Sequence, residues 1–256
     1  MEKPAWRGKS VSCVSYLNSI PYVFGIRNSG FPEKYELTLS LDTPDVCLEK
    51  VVSGAAVLGL VPVAAFSDFP ALKRVGSFGI GAGDNVSSVL LCSPVPTEKI
   101  EKILLDPESR TSARLIKILC RDLWKINPVF ETAMPGYEEN ISGTTAGLII
   151  GDRALAFKEK FRYSFDLAHS WKILSGKPFL FAAWATQYVL PQSLSGDFEK
   201  ALDYGCSHIE PAILSSENRV LSPEKALKYL TGNIQFRISP DFEAGLKEFL
   251  DRSHGI

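Results

Sequence analysis

Apolar residues along this chain occur in short runs, and their spacing switches between two periods. Val11-Ser12-Cys13-Val14-Ser15-Tyr16-Leu17 alternates and is rich in β-branched residues, which predicts a strand. It ends at Asn18-Ser19-Ile20-Pro21, where Pro21 suits the first turn of a helix. Glu36 to Leu41 predicts a second strand, after which Asp42-Thr43-Pro44 caps a short helix that stops near Gly54. Val57 to Val63 is almost wholly apolar, as a strand buried on both faces would be. This β-α-β-α-β order predicts a parallel sheet with right-handed crossovers.

Ser87 to Ser93 predicts a further strand, and the prolines after it, Pro94 and Pro96, mark a crossing into a second lobe. There Ile100 to Leu105 is a strand and Asp106-Pro107-Glu108-Ser109-Arg110-Thr111-Ser112 opens a helix. The helix carries Leu115, Ile116, Leu119, Cys120 and Leu123 on one stripe. Ala146 to Ile150 is a buried strand ending at Gly151-Asp152. Leu167, Trp171 and Leu174 mark a helix ended by Gly176 and Pro178, and Phe179 to Trp184 is a strand that leads back to the first lobe. From Ser193 onward the pattern is helical, with Ser222-Pro223 and Ser239-Pro240 as N-cap and first helical residue. The expected division is 1–93 plus 188–256 for the first lobe with its helical tail and 94–187 for the second. Crossings are expected near 92–97 and 184–190, with a ligand cleft between the lobes.

Composition narrows the function classes. The 256 residues allow one large domain or two smaller ones, and 45% hydrophobic with 22% charged residues is an ordinary globular balance. With 28 basic and 29 acidic residues the formal charge is -1, and no Lys/Arg run appears, which argues against nucleic acid as a partner. No stretch approaches the roughly 18 apolar residues of a membrane span. The segment Met1 to Ser10 is polar and has no apolar signal core, so a cytoplasmic location is expected. Cys13, Cys47, Cys92, Cys120 and Cys206 are widely spaced, with no CxxC and no Cys/His cluster, and are read as buried free thiols.

No Walker loop, GxSxG, HExxH or metal-spaced cluster is present, so neither a metal nor a cofactor is expected. Gly79-Ile80-Gly81-Ala82-Gly83 lacks the third glycine of a dinucleotide fingerprint and is read as a flexible turn before a strand. His169 falls opposite the stripe of its helix, and His208 and His254 lie in the tail, so a histidine acid/base is not expected. What remains is a set of small polar residues at strand-to-helix turns, where open α/β sheets bind ligands. They are Tyr16 to Pro21, Asn85 to Ser88, Ser109 to Ser112, and Gly151-Asp152. Ser109-Arg110-Thr111-Ser112 combines free helix N–H groups with hydroxyls and so makes an anion cradle. The competing reading is helix capping for these hydroxyls and for Asp152, turn formation for Asn18, and core packing for Tyr16 and Trp184.

Several segments together resemble the menaquinone-pathway family that holds chorismate dehydratase and its sister, the dihydroxynaphthoate synthase. They are Ser15-Tyr16-Leu17-Asn18-Ser19-Ile20-Pro21, Leu60-Val61-Pro62-Val63, Ser88-Val89-Leu90-Leu91, Ser109-Arg110-Thr111-Ser112, Ile150-Gly151-Asp152-Arg153-Ala154-Leu155, and Asp166-Leu167 through Trp171 to Gly176-Lys177-Pro178-Phe179 and Trp184. The resemblance implies the two-lobed α/β fold of type II periplasmic solute-binding proteins, with mixed, mostly parallel sheets and a helical C-terminal tail. It also implies a lyase that dehydrates chorismate, a small anion, to 3-[(1-carboxyvinyl)oxy]benzoate in the futalosine route. The sister synthase is expected to carry a catalytic His where this chain has Gly151-Asp152, which points to the dehydratase branch. Two departures are Ala55-Ala56, where relatives often have a carboxylate, and Ser87, where they often have a larger residue. On this reading Asn18 and Ser88 stand at the reacting atoms. Tyr16, Ser87, Ser109, Arg110, Thr111, Ser112, Asp152 and Trp184 hold the substrate. The alternatives are the sister synthase and a non-catalytic solute-binding protein serving a transporter.

Overall fold

The alternating N-terminal segment forms β1 (Ser10–Val14), which a single 3-10 turn, Leu17–Ser19, joins to α1 (Ile20–Asn28) with Pro21 in its first turn. The computed structural model describes residues 6–256. The short α2 (Phe31–Tyr35), β2 (Thr38–Asp42), α3 (Pro44–Val52) and the fully buried β3 (Ala56–Pro62) follow, then α4 (Ala65–Asp68) and the long β4 (Lys73–Ala82). The next elements are β5 (Val89–Ser93), β6 (Lys102–Leu105), α5 (Arg110–Leu119), β7 (Val129–Thr132), β8 (Thr145–Ile150), α6 (Gly151–Phe157), β9 (Tyr163–Asp166) and α7 (Leu167–Ser175). The chain ends with β10 (Phe179–Thr186), α8 (Gln192–Ser207), α9 (Ile209–Ser215), α10 (Pro223–Gly232), β11 (Gln235–Arg237) and α11 (Pro240–Arg252).

Two mixed sheets result, in the orders β11-β4-β10-β3-β1-β2 and β7-β6-β8-β5-β9. Parallel pairing holds β2-β1-β3 in one and β7-β6-β8 in the other, while β10 and β5 bring in antiparallel partners. The crossings differ from those expected near 92–97 and 184–190. The chain leaves the first sheet after Ala82 and enters the second at Val89, and it returns between Ser175 and Phe179. An all-apolar run shows that a strand is buried on both faces but not which sheet covers it. Pro94 and Pro96 end β5 inside the second lobe instead of marking the exit from the first.

The glycine-rich segment is also not a turn, for Gly79 to Ala82 lie within β4. The glycines are there because neighbours occupy the Cβ space. A Cβ on Gly81 would fall 2.4 Å from the Phe242 ring, and one on Gly79 2.6 Å from the Ala182 carbonyl oxygen. The same rule packs α1 on α8, where a Cβ on Gly205 would stand 1.8 Å from the Pro21 carbonyl oxygen. Under the first sheet Trp184 meets Tyr22 and Phe198 edge to face, with ring centroids 5.7 and 4.9 Å apart. All five cysteines are free, four of them buried, and burial pushes the Cys47 thiol up to about 12. Among the described residues no helix is long and apolar enough to cross a membrane.

Candidate functional site

The carboxyl ends of β1, β3, β6 and β8 face one another across the two lobes, the place where open α/β sheets gather ligands. Between them lies a cleft holding about 560 Å³ of empty space, its open mouth included. Its walls are apolar, with Val14, Leu60, Ile80, Val89, Ile150 and Phe181 among them, and its polar groups sit at two poles. No lining side chain among the described residues carries a charge.

One pole is built from Asn18 and Ser19 of the first lobe and from Ser88, which stands where the chain enters the second. Ser88 precedes β5, is buried, and accepts a hydrogen bond at Oγ from the Tyr229 hydroxyl at 2.8 Å. A hydroxyl that accepts still has its own proton to give, so Ser88 keeps a donor for the cavity. The Asn18 side chain takes the Ser19 hydroxyl on Oδ1 at 3.1 Å. Burial raises the Tyr229 pKa well above the ordinary phenol value, which keeps this phenol neutral.

The opposite pole is the start of α5. Ser109 caps the helix by accepting from the Ser112 N–H at 3.2 Å, while Thr111 Oγ1 accepts the Ala64 N–H of the first lobe at 3.2 Å and keeps its own proton. Ser112 is buried, and its hydroxyl lines the cavity. Helix N–H groups, the positive end of the helix dipole and three hydroxyls are gathered at this pole, a donor set whose chemistry suits an anion. Tyr16 closes a side wall and donates its hydroxyl to Glu108 at 2.6 Å. Burial first, and Glu108 second, keep Tyr16 protonated. Behind α5, Arg153 pairs with the buried Asp106 at 2.7 Å and with Glu138 at 3.0 Å, so its charge is spent within the second lobe. Among the described residues no group of three or more His, Cys, Asp or Glu side chains is arranged to hold a metal ion.

Of the residues singled out from sequence, Tyr16, Asn18, Ser88, Ser109, Thr111 and Ser112 line this cavity, and four others do not. Ser87 sits in a left-handed turn (φ 61), gives its N–H to Asp166 at 2.7 Å and accepts from Asn233. Arg110 reaches across to Asp45 at 2.8 Å and stays half exposed. Asp152 accepts from the Leu17 N–H at 2.9 Å and the Asn218 amide at 2.6 Å. Trp184 is fully buried in the core of the first lobe. Each was placed by its position at the end of a predicted strand or helix, and that position does not fix which way a side chain turns. His169 pairs with Asp84 on the surface, away from the cavity.

Sequence reasoning did not find Tyr229 or Asn218. Tyr229 occupies a core position of the amphipathic α10, and nothing in the tail distinguishes it from packing. Gly151 was visible only through the Gly-Asp pair. Its φ is 61, and a Cβ there would lie 2.8 Å from the Tyr16 ring.

A family model described as menaquinone biosynthesis matches residues 9–254. Among solved structures the chain is similar to protein AF1704 from Archaeoglobus fulgidus, at 14% identity and TM-score 0.73, covering 95% of this chain and 96% of that one. It is also similar to the Candida albicans CA3427 gene product, described as exhibiting the generic periplasmic binding protein fold. There the identity is 11% and the TM-score 0.67, over 97% of this chain and 90% of the other. A third is the ligand-binding component of an ABC-type import system from Staphylococcus aureus, at 14% identity and TM-score 0.65, over 97% and 92% of the two chains. At these identities the likeness is one of fold, the two-lobed architecture of periplasmic binding proteins.

Proposed function

The chain belongs to the menaquinone biosynthesis family, and from that premise we propose that it is a chorismate dehydratase. The observation that carries this reading is the cavity itself, apolar along its walls, with hydroxyl and amide donors at two poles and no histidine or charged side chain among the described residues of its lining. Chorismate has the matching form, a cyclohexadiene ring with one carboxylate on the ring and a second on its enolpyruvyl side chain.

Dehydration takes a proton from ring C3 and the hydroxyl from C4. The electron pair of the C3–H bond becomes the C3–C4 double bond of an aromatic ring, and the hydroxide leaves as water with one proton. Aromaticity supplies the driving force, so the protein's part is to orient the dianion and stabilise charge as it moves. The start of α5, with Thr111 and Ser112, receives a carboxylate. Asn18 and Ser88 face the C3–C4 edge and donate toward the departing hydroxyl. Apolar walls exclude water and strengthen each of these contacts. Since no charged side chain among the described residues lines the cavity, the base in this reading is the substrate's own side-chain carboxylate. A trapped chorismate analogue with that carboxylate far from C3 would count against this step.

The branch is tested by incubating the purified protein in parallel with chorismate and with cyclic dehypoxanthinyl futalosine and identifying products by mass. Loss of one water from chorismate, with the second compound untouched, is the expected result. Turnover of the second compound alone would assign the chain to the sister synthase. Binding of either without turnover would make it a solute-binding protein.

A further inference from the structure

Asp152 is a second-lobe carboxylate whose two oxygens are both used on the first lobe. It stands in the first turn of α6, yet the helix's own N–H groups are not its partners, and the α6 N-cap has no side-chain cap bond. Oδ1 accepts the Leu17 N–H at 2.9 Å, and Oδ2 accepts the Asn218 Nδ2–H at 2.6 Å. Leu17 opens the 3-10 turn that carries Asn18, so this bond fixes the backbone from which Asn18 projects into the cavity. Asn218 is itself oriented, since its Oδ1 accepts the Val220 N–H at 3.1 Å and so leaves the amide nitrogen facing Asp152. Alongside, Tyr16 donates to Glu108, also in the second lobe. Tyr16 lines both the substrate cavity and a second cavity, which Asn218 and Arg27 line as well.

We infer that Asp152 is a positioning residue, a clasp that completes the Asn18 pole only when the second lobe is closed on the first. With the lobes apart, the Leu17 N–H and the Asn218 amide lose their acceptor, the turn is free to rearrange, and the Asn18 donor no longer faces the ring edge. Catalytic competence is thereby tied to closure through one carboxylate that does not touch the substrate. Burial raises the Asp152 pKa while the two donors oppose that rise, as expected of a carboxylate removed from water and held by fixed partners.

The donor set allows a swap. Asn218→Asp opposes two carboxylates, with Val220 still bonded to one of its oxygens. In the double variant Asp152→Asn with Asn218→Asp, the new amide accepts from Leu17 and donates to the new carboxylate, so every bond is restored and only the one between residues 152 and 218 runs in the reverse direction. Four proteins are compared: wild type, Asp152→Ala, Asn218→Asp and the double variant. Two readouts are used. One is hydrogen exchange at the Leu17 amide of the free protein, measured by NMR. The other is steady-state turnover of chorismate, which rests on the dehydratase reading, as the exchange does not.

Exchange should quicken about 10-fold or more in both single variants and return close to wild type in the double variant. The kcat should fall about 10- to 100-fold in the single variants with KM changed far less, and recover to within about 3-fold in the double variant. A double variant no better than the worse single variant in exchange would overturn the inference. So would wild-type exchange in Asp152→Ala, or in Asn218→Asp if the alanine variant does not fold. The restored exchange pattern in proteins none of which consumes chorismate would leave the clasp standing and remove the dehydratase reading.

Discussion

At the reacting pole Ser88 accepts from the buried phenol of Tyr229 and Asn18 accepts on Oδ1 from Ser19, so the Ser88 hydroxyl proton and the Asn18 amide protons are left to donate into the cavity. A hydrogen bond to a charged or charge-developing group is worth about 1.5–3 kcal/mol, which converts to roughly 10- to 150-fold in rate. Asn18→Ala and Ser88→Ala should each lower kcat by an amount in that range while the protein stays folded, with a lowered melting temperature in Ser88→Ala because the buried Tyr229 hydroxyl loses its acceptor. Wild-type turnover in both would reduce these residues to capping and packing roles. The part of the site visible in sequence is the part fixed by position along a strand. Asn18, Ser88, Thr111 and Ser112 stand at sheet ends that face the cleft, and there residue type and place agree. Ser87 adjoins Ser88 but is turned the other way by a left-handed backbone angle, and Trp184 alternates into the core. Tyr229 and Asn218 reach the site from the C-terminal tail, so only tertiary folding brings them there.

At the scale of elements, periodicity and capping residues revealed most helices and strands, because burial on one face imposes a repeat. The exceptions have local causes. The Gly79 to Ala82 segment has turn-like composition but strand geometry, since the Phe242 ring and the Ala182 carbonyl take the space of its missing side chains. The link between α11 and the second lobe was also invisible, because it is made by side chains far apart in sequence. Arg252 there donates to Asp122 at 2.9 Å. Arg121 first, and Arg252 after it, lower the Asp122 pKa to about 2 in spite of partial burial. A depressed carboxylate pKa stabilises the fold above the ordinary value near 4 and loses that contribution as the pH falls toward 2. Urea unfolding of wild type and Asp122→Asn should therefore differ above about pH 4 and converge as the pH falls to about 2. The gap should be small, since the group is partly in solvent. A gap that stays constant over that range would show that the pair contributes nothing through charge.

For the whole molecule, strand order was legible and sheet membership was not. Nothing in Val89–Ser93 or Phe179–Thr186 tells a buried strand which of two sheets it joins, and both crossings are displaced for that reason. The lobes as they stand are clasped on two sides of the cavity. Asp152 and Glu108 hold the Tyr16 to Asn18 turn, while on the other side Thr111 holds Ala64 and Arg114 holds Asp68 at 2.5 Å. A ligand bridging both poles would favour this closed form over an open one by the difference in contacts it makes in the two. The central claim is that chorismate spans the cavity with its reacting edge at the Asn18 pole. The most direct measurement is a crystal structure of the Ser88→Ala variant, slowed so that substrate persists, soaked with chorismate. The account predicts the ring between the apolar walls, one carboxylate at the start of α5 on Thr111 and Ser112, and the C3–C4 edge toward Asn18. Chorismate bound outside this cavity, or bound within it with neither carboxylate at α5, would contradict it.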